Sequence, residues 1–100
     1  MLARRYQNYI TELFGFKVDM EGLEKGEDKL RLKLRSLFAE DESDHLLFKP
    51  NAAGKLDLMA TPFAETLDVD KTVYLTTAKS VPAFLSNLTL GLFDQQTFLG

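Results

Sequence analysis

The stretch KLRLKLRSLF, residues 29–38, decides the fold. Leu30, Leu32 and Leu34 alternate with Lys29, Arg31, Lys33 and Arg35. Successive side chains of a strand point to opposite faces, so this period of two puts a leucine row on one face and a cationic row on the other. Such a pattern marks a half-buried antiparallel strand, since parallel strands are covered on both faces and are apolar throughout. The flanking sequence supplies its neighbours. Upstream, Phe16, Val18 and Met20 alternate with Lys17 and Asp19 as a short strand, and a charge-rich turn from Gly22 to Gly26 follows. Downstream, EDESD (40–44) is a solvated loop, HLLFK (45–49) a third strand, residues 50–54 a turn, and KLDLM (55–59) a fourth strand. Four strands with short connections predict an antiparallel meander.

Helices are expected on either side of the sheet in sequence. Leu2, Tyr6, Tyr9 and Leu13 recur at intervals of four, three and four. That spacing fits a helix packed on its own domain, and equally the a/d seam of a coiled coil; two heptads do not separate the two. The helix begins at residue 1 without a capping residue, which suggests the end of a longer element. Gly15 stops it, as a glycine in the left-handed region does. Thr61-Pro62 starts another helix, with a hydroxyl cap before proline at the first helical position. Phe63, Leu67, Val73 and Tyr74 suit one face after it, but VDKTVYLTT (69–77) is rich in β-branched residues and suits a strand as well. Ser80 opens a last helix over residues 81–93, with Pro82 in its first turn and Phe84, Leu85, Leu88 and Leu92 as its buried stripe. Gly91 costs that helix about 1 kcal/mol relative to alanine, which packing must offset. The polar tail after it leaves Thr97 open to a kinase. The expected class is α+β: one helix, four strands and two helices covering one face of the sheet.

Composition narrows the function. One hundred residues make one domain, with a thin core that buries roughly 60–65% of the unfolded surface. With 45% hydrophobic residues the chain is too apolar for intrinsic disorder. A net charge of −3 argues against non-specific nucleic-acid binding. Without cysteine there is no disulfide, thiolate-bound zinc or thiol nucleophile. A hydrolytic triad would need His45, the single histidine, as its base, and His45 begins a strand beside an acidic loop; one histidine also cannot build a His-rich metal site. EDESD lacks the glycine and terminal glutamate of a calcium loop. NAAGK (51–55) lacks the first glycine and the Ser/Thr of a phosphate loop, those positions being Lys49 and Leu56. Asn87-Leu88-Thr89 matches a glycosylation acceptor in letters only. No apolar run reaches the ~20 residues of a membrane span, and MLARRYQNYI is no signal peptide. A soluble, intracellular, non-enzymatic chain with no cofactor and no metal is expected. The row Lys29, Arg31, Lys33 and Arg35 sets cations ~7 Å apart, as a site for phosphate or an acidic peptide or as a solvated face balanced by neighbouring acids.

The C-terminal half is more specific. SVPAFLSNLTLGLFDQQT (80–97) closely resembles the closing segment of the large coiled-coil checkpoint proteins of the mitotic-arrest-deficient family, with their Pro-Ala-Phe-Leu-Ser run, Leu-Thr-Leu step and late Gln-Thr. LFGFKVDM (13–20), LRSLFAE (34–40), DHLLFK (44–49) and TPFAETLD (61–68) line up in the same order, so the resemblance covers essentially the whole chain. It implies a parallel homodimer, with residues 1–14 ending a coiled-coil stalk and Leu2, Tyr6, Tyr9 and Leu13 facing their symmetry mates. Residues 15–100 are then an RWD-like head, and a long helix over residues 61–77 is favoured over a strand. In function, the family implies a non-catalytic spindle assembly checkpoint scaffold. Its head binds the phosphorylated checkpoint kinase of the budding-uninhibited-by-benzimidazole type, and supports assembly of the inhibitor of the anaphase-promoting complex activator. A monopolar-spindle kinase phosphorylates a threonine near the terminus, which Thr97 matches. The implied location is the nucleus: kinetochores in mitosis, the nuclear envelope and pores in interphase. The family's Arg-Leu-Lys docking motif lies in the coiled coil before the position of Met1, so this chain is expected to lack it; Arg31-Leu32-Lys33 repeats the letters inside a strand. Arg4 and Arg5 are the nearest stalk cations, and with the row on the sheet they are the candidate partner-binding residues. The alternative is a purely structural dimerisation domain of another kinetochore or coiled-coil protein.

Overall fold

The computed structural model describes residues 2–26 and 29–99, and the side chains of all of these except residues 2, 3, 23 and 97–99. Helix α1 (Leu2–Phe14) leads into strands β1 (Phe16–Glu21), β2 (Arg31–Ser36), β3 (Leu46–Pro50) and β4 (Leu56–Leu58). Helices α2 (Pro62–Glu65), α3 (Val69–Thr76) and α4 (Val81–Leu99) follow. The chain forms two compact units, one reaching from α1 to Glu65 and one from Thr66 onward.

In the first unit the strands pair antiparallel in sequence order, β1-β2-β3-β4, as the meander predicts. The leucine row holds as well. Val18 pairs with Leu34, and Leu34 with Leu46, while Leu32 pairs with Phe48 and Phe48 with Leu58, so one face is apolar from edge to edge. Phe16, Leu34, Leu46 and Phe48 on that face are buried, as is Ala39 beyond β2. Full burial of a Leu or Phe side chain contributes roughly 1.5–3 kcal/mol, so this row carries most of the unit's hydrophobic stabilisation.

β2 is shorter than the alternation suggests. At its start Lys29 N–H donates to Gly26 O (3.0 Å), a turn that leaves Lys29 exposed before the strand. At its end the buried Ser36 hydroxyl accepts from Phe38 N–H (3.0 Å) and closes a turn. Gly15, with φ 78°, ends α1 by donating to Thr11 O (2.8 Å) and accepts from Leu37 N–H (2.9 Å). The NAAGK segment is a hairpin turn. Asn51 Oδ1 accepts from Ala53 N–H (2.9 Å) and Lys55 N–H (3.1 Å), and Gly54 supplies a left-handed residue with φ 76°.

Thr61 caps α2 as expected: its buried hydroxyl accepts from Ala64 N–H (3.0 Å) and also donates to His45 O (3.1 Å). One oxygen thus starts a helix and ties it to β3's entry. Thr61→Ala is expected to cost about 2 kcal/mol, a lost cap plus an orphaned carbonyl, while Thr61→Ser keeps most of it. Urea denaturation of the two variants checks this; equal losses would assign the effect to packing of the methyl group.

The second unit corrects two expectations. The long helix over residues 61–77 is two helices, because Asp68 is extended (φ −72°, ψ 163°) and its carbonyl accepts from Lys71 and Thr72 N–H as the start of α3. Aspartate favours such helix starts over helix interiors. VDKTVYLTT is helical through Thr76, so the strand alternative falls; Tyr74 is half-buried but Val73 is exposed. The last helix also runs on to Leu99, since nothing in DQQTFL breaks it, and the free polar tail is not there. Ser80 opens α4 as expected, accepting from Ala83 N–H (3.2 Å). Phe84 and Leu88, one helical turn apart, are fully buried. A Cβ on Gly91 would make ordinary contact, 3.4 Å, with Lys71 Cε of α3, so close packing does not require glycine there.

Candidate interaction surfaces

Two surfaces of the first unit carry the candidate residues. The first is α1. Its Ile10 and Thr11 are half-buried, and Gln7 Nε2 donates to Val18 O of β1 (3.3 Å). Between helix and sheet lies a largely apolar groove lined by Tyr6, Gln7, Ile10, Val18, Met20 and Leu32. The helix therefore attaches to its own sheet through the Gln7–Ile10 side. Of the a/d residues Tyr6 borders this groove, yet all three described ones are open to solvent: Tyr6 is 67%, Tyr9 61% and Leu13 71% exposed. Three large apolar side chains at positions 6, 9 and 13 share one stripe of a helix and lie open in the single chain. Phe14 beside them is exposed too. The side chain of Leu2 lies outside the described residues. Arg4 and Arg5 are exposed on the same helix.

The second surface is the charged face of the sheet. Arg31, Lys33 and Arg35 share it and are half-buried, because β2 is an inner strand. Lys29 does not join them. What composition could not show is the register: Asp19 stands opposite Lys33, Glu21 opposite Arg31, and Asp57 opposite Lys49. Cross-strand pairs of opposite charge stabilise a sheet, and here they neutralise most of the basic row. Lys17 is the exception, standing opposite Arg35. Beyond β2, Asp41 Oδ1 accepts from Ser43 N–H and Oγ (2.9 Å each). Those two bonds hold its carboxyl below the ordinary range, with the charge of Arg35 adding to them. His45 Nδ1 lies 2.8 Å from Ser43 O, a geometry in which the ring nitrogen donates. Among the described residues no three of His, Asp and Glu stand close enough to share a metal ion. Thr97 lies in α4, and its side chain is outside the described residues.

A face balanced by neighbouring acids is one of the two expectations for this row; which acid stands opposite which cation, and that Lys17 stands opposite Arg35, is not legible in the sequence. The signal for it is the alternation in FKVDME, which can be read only once the pairing is known.

The first unit is an α+β sheet domain with an open aromatic stripe and a structured charged face. The chain belongs to the MAD family of mitotic checkpoint proteins, whose model matches residues 5–97. It is 37% identical over 87 residues to the mitotic spindle assembly checkpoint protein MAD1 of Homo sapiens, covering 85% of this chain and 11% of that protein. It is 30% identical over 96 residues to the mitotic spindle checkpoint protein MAD1 of Arabidopsis thaliana, covering 92% of this chain and 13% of that protein. The chain thus spans about an eighth or less of the length of these relatives.

Proposed function

We propose that this chain is the homodimeric head of a spindle assembly checkpoint scaffold, non-catalytic and recruited to kinetochores through phosphorylated partners. The observation that carries the dimer is the open stripe of Tyr6, Tyr9 and Leu13 on a helix already attached to its own sheet through Gln7. In a parallel pair, residues 1–14 form the end of a coiled-coil stalk and residues 15–100 the RWD-like head. Family membership supports the checkpoint role. The head engages the phosphorylated checkpoint kinase of the budding-uninhibited-by-benzimidazole type and assists assembly of the inhibitor of the anaphase-promoting complex activator. Thr97 is its phosphorylation site for the monopolar-spindle kinase. The working location is the nucleus, at kinetochores in mitosis and at the nuclear envelope in interphase.

The test is capture. The chain is immobilised and exposed to extract from spindle-poisoned cells, with and without phosphatase, and bound proteins are identified by mass spectrometry. Recovery of the checkpoint kinase only without phosphatase is the expected result. Recovery of the same proteins in both arms would overturn the phospho-dependent reading and leave a structural dimerisation domain.

A further inference from the structure

Gly91 sits in the middle of α4 with nothing local to require it. It is not one of the glycines with a positive φ, so its backbone suits any residue. A Cβ there would make only ordinary contact, so packing does not ask for glycine either. A glycine inside a helix nevertheless costs about 1 kcal/mol relative to alanine. What the missing side chain leaves is space. Gly91 lines a partly open cavity of about 160 Å³ between α4 and the start of α3, with Leu67, Leu88 and Leu92 as its apolar walls. Lys71 lines it too, half-buried, and its Nζ lies 3.6 Å from the place a Gly91 Cβ would take. Asp68 stands one turn before Lys71 on the same cavity, and its side chain makes no capping bond to α3. Among the described residues neither the Lys71 amine nor the Asp68 carboxylate has a hydrogen-bond or ion-pair partner. One small cavity thus holds a spare donor, a spare acceptor and a floor that a methyl group would fill.

We propose that this cavity takes the primary amide of one glutamine or asparagine side chain from a partner protein. An amide answers both polar groups at once: its carbonyl oxygen accepts from the Lys71 amine, and its NH₂ donates to the Asp68 carboxylate. Its methylene stem covers Leu67, Leu88 and Leu92. A carboxylate in the same place meets Asp68, and Asp70 and Asp94, exposed on the same two helices, add to that repulsion. An ammonium meets Lys71 instead. The amide is neutral and is opposed by neither wall. A free small molecule is the poorer occupant, because pockets for such ligands run to roughly 300–1,000 Å³, whereas this one holds a single side chain. Val69, next to Asp68 and 74% exposed, gives the rest of the partner segment an apolar contact. The site is independent of the phosphate-dependent capture described above.

The experiment is NMR of the ¹⁵N-labelled chain, titrated with propionamide, propionate and propylammonium, three probes of one size that differ in their head group. A short alanine-based peptide with one central glutamine, and the same peptide with leucine in its place, complete the series. Expected are saturable shifts of the Asp68, Lys71 and Gly91 amides with propionamide, and a response about tenfold weaker to either charged probe. The glutamine peptide should bind at least as tightly as propionamide, and the leucine peptide should leave the cavity unmoved. Lys71→Met, which keeps the stem and loses the amine, and Asp68→Ala each weaken the propionamide response about tenfold. Gly91→Ala separates binding from folding: it raises the thermal midpoint by about 4–8 °C and weakens the response about fivefold or more. A Gly91→Ala chain less stable than the native one would make Gly91 a packing residue, and one that binds propionamide as the native chain does would end the site. No saturable shift, equal responses to the three probes, or binding of propionamide without the glutamine peptide would each overturn the assignment.

Discussion

Gly22→Ala is expected to lower the thermal midpoint by roughly 15–20 °C, whereas Gly54→Ala lowers it by only about 5 °C. Gly22 follows β1 and Gly54 lies in the turn between β3 and β4, and both have φ near +80°, a region where any L side chain costs about 1–2 kcal/mol. They differ in what surrounds them. A Cβ on Gly54 would meet nothing within 4 Å, so the backbone term stands alone. A Cβ on Gly22 would land on the carbonyl oxygen of Lys29, the residue whose own N–H closes the turn onto Gly26 before β2. Backbone on backbone has no rotamer to yield with, so the β1–β2 connection itself must shift. The total is about 3 kcal/mol or more, a large share of the ~5–15 kcal/mol that holds a chain of this size. Circular dichroism melts at one protein concentration measure both variants. Equal losses would show that the connection gives way and that only the left-handed backbone matters.

That contrast shows which parts of this molecule could be read in advance. Local rules speak where one residue type has one physical outlet. The alternation through Leu30, Leu32 and Leu34 has only the strand, Gly15 only the helix stop, and Thr61-Pro62 only the helix start. The end of α1 and the start of α2 stand where those residues put them, and β2 stands inside its alternation, shortened to Arg31–Ser36. What depended on two distant segments was not legible. The register of β1 against β2 decides whether the cationic row is a bare site or a neutralised face, and the long connection between them hides it. Lys29 entered that row by its letters and left it by a turn. The break at Asp68 and the run of α4 to Leu99 turn on a few tenths of a kcal/mol per residue, below what pattern can weigh. α1 shows a third case: both readings of its stripe were physically sound, and exposure in the folded chain supports the seam but leaves it a proposal.

Leu13→Glu is therefore expected to break the dimer and leave the fold intact. In the single chain Leu13 is 71% exposed, so a glutamate there meets water and costs the monomer almost nothing. In a parallel pair it meets its own symmetry mate at the seam, where two carboxylates would be desolvated side by side. Burial of Tyr6, Tyr9 and Leu13 contributes roughly 1.5–3 kcal/mol per side chain, before the rotational and translational cost of association is subtracted. The surplus is small, and one buried, unpaired charge removes it. Sedimentation equilibrium should show a dimer for the native chain and a monomer for Leu13→Glu, with unchanged far-ultraviolet circular dichroism. Ile10→Glu is the control, because Ile10 lines the groove against Val18 and Leu32. It should damage the fold at any concentration, with a loss that dimerisation does not repair. A native chain that stays monomeric, or a Leu13→Glu variant that sediments like the native one, would take α1 out of the interface. The open stripe would then face some other protein, and the stalk would have to be abandoned with it.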